Sequence, residues 1–163
     1  MTNQPQREIS ILRAVALLGQ GKPFAALSEL NAAQPNPPLD LAAWLLQASL
    51  LGHDNIEKAG LLYSRALDRY PQHPMALLRV GVFTYERGDA EVARTLLERS
   101  WAAGPSAEAG VYLGRLYAAR GDHLRACVFL AQSAAFEPEG GHWRDTAVQE
   151  ILERWPAVQQ QMS

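Results

Sequence analysis

Apolar residues recur along this chain every three or four positions, in runs separated by short polar turns, and the runs come in pairs. That spacing places them on one face of a helix, so each pair predicts a helical hairpin. The hairpins repeat. A column of small residues falls at Ala26, Ala59, Ala93 and Ala126, in steps of 33, 34 and 33 residues. Four positions on, a bulky column reads Leu30, Tyr63, Leu97 and Leu130, followed by a small one at Ala33, Ala66, Ser100 and Ser133. Pro38, Pro71, Pro105 and Pro138 close the units, because proline lacks an amide hydrogen and disfavours helix in the residue before it. A sustained period of this length predicts a stacked array in which each unit buries its apolar face against the next.

Gly21, Gly88 and Gly121 stand between the two runs of their units, where glycine lets the chain leave the first helix in a left-handed conformation. Asp89 and Asp122 follow and are positioned to cap the second helix. In the second unit Asp54 takes the glycine's place and, with Glu57, predicts a capping box. The small column opens the second helix, where a larger side chain would push the paired helices apart, and the next two columns face the following unit.

These residues resemble the tetratricopeptide repeat (TPR) family. A small residue near the middle of the first helix is matched by Ala14, Gly81 and Gly114, with Gln47 a departure. The large residue one turn later is matched by Leu17, Leu50 and Tyr117, with Thr84 departing beside Tyr85. The Trp many members carry early in the first helix is replaced by Ser10, Ala43, Leu77 and Gly110. The resemblance covers residues 7–139 and implies an all-α, right-handed superhelical solenoid of four hairpins, at about 7–39, 40–73, 74–106 and 107–139.

After Gly140 and Gly141 a further amphipathic helix is predicted over 142–155, with Trp143, Ala147, Ile151 and Trp155 on one stripe and Arg144, Asp145, Glu150, Glu153 and Arg154 on the other face. A solenoid needs its last apolar face covered, and this helix is the expected cap, ended by Pro156; a helix that detaches to dock on another copy or a partner is the alternative. Residues 1–6 and 157–163 are read as tails.

TPR arrays resemble superhelices whose first helices line a concave groove. With the groove stripe offset by one residue from the packing stripe, the first unit offers Glu8, Ile11, Val15 and Leu18, and the second Leu41, Trp44, Ala48 and Leu51. The third offers Met75, Leu78, Val82 and Tyr85, with Arg79 beside them, and the fourth Glu108, Val111, Arg115 and Ala118. Leu46, Leu50, Leu77 and Val80 already supply the packing stripe, so the second stripe is read as an exposed apolar strip of the kind that marks a binding site. It suits an amphipathic helix or apolar peptide of a partner protein, with Met75 able to adapt its shape. The carboxylate clamp of TPR domains that hold chaperone tails is not reproduced: its places hold Ile11, Val15, Leu45, Met75 and Arg79, of which only Arg79 could serve.

Composition narrows the function. With 163 residues the chain is of one-domain size, and 48% apolar residues can build a core. A net charge of −2 and scattered Lys and Arg argue against nucleic acid and against a polybasic membrane patch. No run of about 18 uninterrupted apolar residues predicts a membrane span. Ile9 to Leu18 imitates a signal peptide, but Arg13 breaks it and Glu8 precedes it, so a chain starting near Met1 in the cytoplasm is expected. Cys127 has no cysteine to pair with and is read as a packed thiol. His53, His73, His123 and His142 lie near turns and none is paired at i, i+4, so no metal or cofactor is expected. No nucleophile elbow, phosphate loop or dinucleotide fingerprint occurs, and no enzyme is expected. The expected function is an adaptor or chaperone holding an apolar segment of a partner in its groove. In size it is similar to the TPR chaperones of bacterial type III secretion. The alternative is self-association, as a homodimer or a larger structural scaffold.

Overall fold

The structure is a computed structural model that describes residues 4–33, 41–52 and 54–163. Pro38 and His53 lie outside them. All regular elements among the described residues are α-helices, and the chain divides into two compact units, Met1–Tyr70 and Pro71–Ser163.

The first unit holds α1 (Gln4–Gly19), α2 (Pro23–Ala33), α3 (Leu41–Leu51) and α4 (Ile56–Arg69). α1 packs on α2, α3 on α4, and α2 meets α3. Ala14, Ala26, Leu30 and Ala43 form its core, with Ile11, Leu17, Leu18, Leu46 and Leu50 packed around them. Before α4 the expected capping box is replaced by a single cap: the Asn55 side chain accepts from the Lys58 amide at 3.0 Å. Asn55 is one residue nearer the helix than Asp54, and its carbonyl meets the amide three residues on, the geometry an N-cap requires.

The second unit holds α5 (Pro74–Glu86), α6 (Ala90–Ala103), α7 (Ala107–Ala119), α8 (His123–Ala134) and α9 (His142–Met162). Each helix packs on the next from α5 to α9, and α7 also meets α9. Asp89 and Asp122 cap α6 and α8, accepting from the amides of Val92 and Arg125. The Gly88 and Gly121 preceding them have φ of +86° and +82°, which side-chain-bearing residues rarely adopt. Ala93 and Ala126 are completely buried where the second helices cross the first. Ser100 and Ser133, placed by sequence in a small-residue column, do more than save space. Their buried hydroxyls donate to Pro74 O at 2.9 Å and Ala107 O at 2.5 Å, tying the end of each second helix to the start of its own first helix.

α9 departs from expectation. It continues through Pro156 to Met162. A proline inside a helix removes one hydrogen bond and crowds the carbonyl four residues back, at a cost of about 3 kcal/mol. Docking offsets that cost: Val158, beyond the proline, is 1% exposed, and Gln161 Nε2 donates to Gly121 O at 2.7 Å. The buried face accordingly runs through Ala147 and Val158, while Trp155, expected on it, is 47% exposed.

Candidate binding face of the second unit

The offset stripe is not an exposed strip in the second unit. Leu78 and Val82 are buried in a cluster with Ala109, Leu113, Leu116 and Tyr117, and Val111 is buried with Leu130 and Ala147. The reason lies in the number of neighbours. A first helix inside an array packs on its own partner and also on the following pair, so it carries two apolar stripes, and the surplus stripe is the inter-repeat contact. Trp44 is buried as well, and its Nε1 has no hydrogen-bond partner. Ile11 and Leu18 are half-buried against the first unit's core, and Leu41 and Leu51 are half-buried. Of the expected apolar residues, Val15 and Met75 stand well exposed.

The residues of α5, α7 and α9 beside the buried part of the stripe, with Tyr85, Glu108 and Arg115 of the stripe itself, form a polar and aromatic, half-buried face. Arg79 forms a bidentate pair with Glu108, both contacts at 2.8 Å. Tyr85 meets Tyr112 edge to face, 5.1 Å between centroids, and Tyr112 in turn lies 6.0 Å from Trp143. Arg115 sits over the Tyr112 ring and pairs with Glu150, Nε to Oε1 at 2.8 Å. Glu150 is also met by Arg154 at 3.3 Å. Burial, followed by the charges of Glu86 and Glu108, raises the Tyr112 pKa and keeps its hydroxyl a donor.

Beyond this ladder an open cleft of about 540 Å³ is lined by Tyr85, Arg115, Ala118, Ala119, His123, Glu153 and Arg154. Tyr85 and the two alanines supply apolar wall, and the arginines supply N–H donors. His123 Nδ1 is buried and has no hydrogen-bond partner. Thus Met75, Arg79, Tyr85 and Arg115 of the expected set belong to one unit's exposed face. Glu108 and Ala118 of the same expected stripe join them, and Tyr112, Ala119, His123, Glu150 and Arg154 complete it without having been singled out as binding residues. The available signal was opposite charge about one repeat apart on successive first helices, as in Arg79 with Glu108 and Arg115 with Glu150. Among the described residues no three His, Cys, Asp or Glu side chains come together to hold a metal ion.

Helix pairs in succession, small residues at each crossing and glycine-aspartate turns define a TPR-like helical repeat fold. Solved structures of that class align with it at low identity. PilF of Pseudomonas aeruginosa matches at 20% identity with a TM-score of 0.71, over 95% of this chain and 73% of that one. MamA of Desulfovibrio magneticus, from its residue 41 to its end, matches at 18% and 0.67 over the whole of both chains. The thermophilic TPR protein TTC0263 of Thermus thermophilus matches at 17% and 0.58, over 90% of this chain and 99% of that one. No protein-family model and no curated protein sequence matches the chain.

Proposed function

We propose that the chain is a protein-interaction module, and that its second unit holds a segment of a partner protein on the face of α5, α7 and α9. The observation carrying this reading is the cleft between Tyr85, Ala119, Arg115 and Arg154, whose volume falls within the range of ligand-sized sites. Its mixed lining favours a segment that places one large apolar side chain against Tyr85 and the alanines and sets a carbonyl or carboxylate beside the guanidiniums. Each guanidinium has five N–H donors, and Glu150 engages only part of them. This narrows the continuous apolar trough expected from sequence to one apolar anchor with polar flanks. The module acts as an adaptor or chaperone that binds and does not catalyse, holding the segment before assembly or export. A reducing compartment such as the cytoplasm suits its one cysteine, a buried thiol.

Selection of short random displayed peptides against the full chain tests the reading. Recovered peptides are expected to share a large apolar residue beside an acidic or amide one. Ala119→Trp, which fills the cleft from an exposed position, and Arg115→Gln should each weaken binding about tenfold, or about 1.4 kcal/mol, with melting unchanged for the first. Binding indifferent to both substitutions would overturn the proposal.

A further inference from the structure

α9 is one helix held in two parts. Pro156 has no amide hydrogen, so the Leu152 carbonyl loses its donor within the helix at that point. The part before the proline is fixed along its own length. Glu137 accepts from the amides of Trp143 and Arg144, Ala147 and Ile151 pack with Val111 and Leu130, and Glu150 pairs with Arg115. The part after it, 157–162, is seated by the buried Val158 and by Gln161, whose Nε2 donates to Gly121 O at 2.7 Å.

Gly121 belongs to the turn that builds the cleft. Ala118 and Ala119 at the end of α7 and His123 at the start of α8 lie on either side of it, while Glu153 and Arg154 come from α9 just before Pro156. The segment 157–162 therefore leaves one group of cleft residues and ends on the other. The register agrees: Glu137 meets the start of α9 and Gly121 its end, so α8 and α9 run antiparallel, and Arg154 lies close enough to Cys127 of α8 for its charge to act on the thiol. Docking of this segment is opposed as well as favoured. The helix is short of one bond at Pro156, and the buried His123 Nδ1, two residues beyond Gly121, has no hydrogen-bond partner among the described residues. A segment seated by few contacts next to a break in its helix is of the kind that opens without the rest of the fold.

We propose, on the reading that the cleft holds the partner's segment, that 157–162 is a detachable strap hinged at Pro156, which completes the cleft when docked and dismantles it when released. Docked, the strap fixes the α7–α8 turn at one separation from Glu153 and Arg154. Released, it leaves that turn, with His123, untied from the cleft-lining end of α9. A segment seated in the cleft touches both groups and so favours the docked state, and by reciprocity whatever frees the strap weakens binding by the same factor. Capture and release of the partner are thereby set by a piece of chain outside the cleft itself.

Hydrogen exchange of the full chain reads the strap without any ligand. Val158→Asp sets a charge at a buried position and should free the strap while the amides of 147–154 stay protected, with one cooperative melting transition retained at a lower temperature. Exchange across 120–122, the turn the strap ties down, should rise about fivefold in this variant. Peptides recovered by selection against the native chain should bind Val158→Asp about tenfold more weakly and, bound to the native chain, should slow exchange over 159–162, which simple fraying of a helix end does not predict. Loss of the cooperative transition in Val158→Asp would make Val158 an ordinary core residue and overturn the strap. Unchanged exchange at 120–122, or equal peptide affinity in the variant, would overturn its part in the cleft. Recovery of no peptide whose binding needs Ala119 and Arg115 would instead overturn the reading of the cleft, and the exchange of the free chain then decides the strap.

Discussion

At the scale of single residues, the closest helix contacts depend on glycine. A Cβ at Gly110 would lie 2.8 Å from Ser133 Cβ, 3.0 Å from Trp101 and 3.1 Å from the Phe129 carbonyl; one at Gly114 would lie 2.7 Å from Leu130 Cγ. Alanine favours helix over glycine by about 1 kcal/mol, but overpacking costs about 1–3 kcal/mol. At Gly110 the obstacle includes backbone, which cannot turn aside, so Gly110→Ala should lower stability by about 1–2 kcal/mol in thermal or urea unfolding. A stabilised variant would show that α7 and α8 have room to separate. Gly114 was legible in sequence as a small-residue place; the need for glycine at Gly110 was not, because it arises from Trp101 and Ser133, which are distant along the chain.

Cys127 gives a second residue-scale test. Burial raises its pKa above the ordinary thiol value, with the Arg154 charge opposing. At a given pH the folded chain therefore holds less thiolate, and alkylation by iodoacetamide at mildly alkaline pH should be slower than in the unfolded chain. The associated stability is complete below the unfolded thiol pKa and declines as pH rises through the higher folded value. The melting temperature of Cys127→Ala should accordingly decline less than that of the native chain over this window. Equal declines would mean the thiol titrates as if exposed.

Among the elements, α5 and α9 show what periodicity can and cannot decide. Leu77 and Leu78 on α5 are 0% and 4% exposed, whereas Met75 on the same helix is 44% exposed. Leu78→Ala should therefore cost about 2–5 kcal/mol and Met75→Ala under about 0.5 kcal/mol. Comparable costs would return Leu78 to the surface. The helix was legible from its spacing, but the choice between two apolar stripes was not, since both have the same period and only the position of α7 separates them. On α9, Pro156→Ala restores a missing hydrogen bond and should raise the melting temperature of the second unit, while Val158→Ala should lose about 2 kcal/mol. A fall with Pro156→Ala would mean that the proline's bend is needed to seat Val158.

For the molecule as a whole, the division at Tyr70 and Pro71 separates two sets of cores. Stability in repeat arrays is approximately a sum of local terms. The second unit contains two hairpins and α9, with its buried clusters built from its own residues. Residues 71–163 expressed alone should be helical by circular dichroism and unfold in one cooperative transition. Loss of helicity on excision would show that its stability depends on the residues before it.

Helix pairing, the capping aspartates Asp89 and Asp122 and the small crossing residues follow from the sequence alone, because they depend on contacts a few residues apart or on the steric tolerance of one position. Three matters were decided only by tertiary structure. Leu78, Val82 and Val111 are interior because a first helix has neighbours on two sides, which one-dimensional spacing does not count. The exposed face of the second unit is an ion-paired and aromatic ladder because Glu108, Tyr112 and Glu150 arrive from neighbouring helices. α9 passes its proline because docking beyond it offsets a local cost that, judged within the helix, would have ended it.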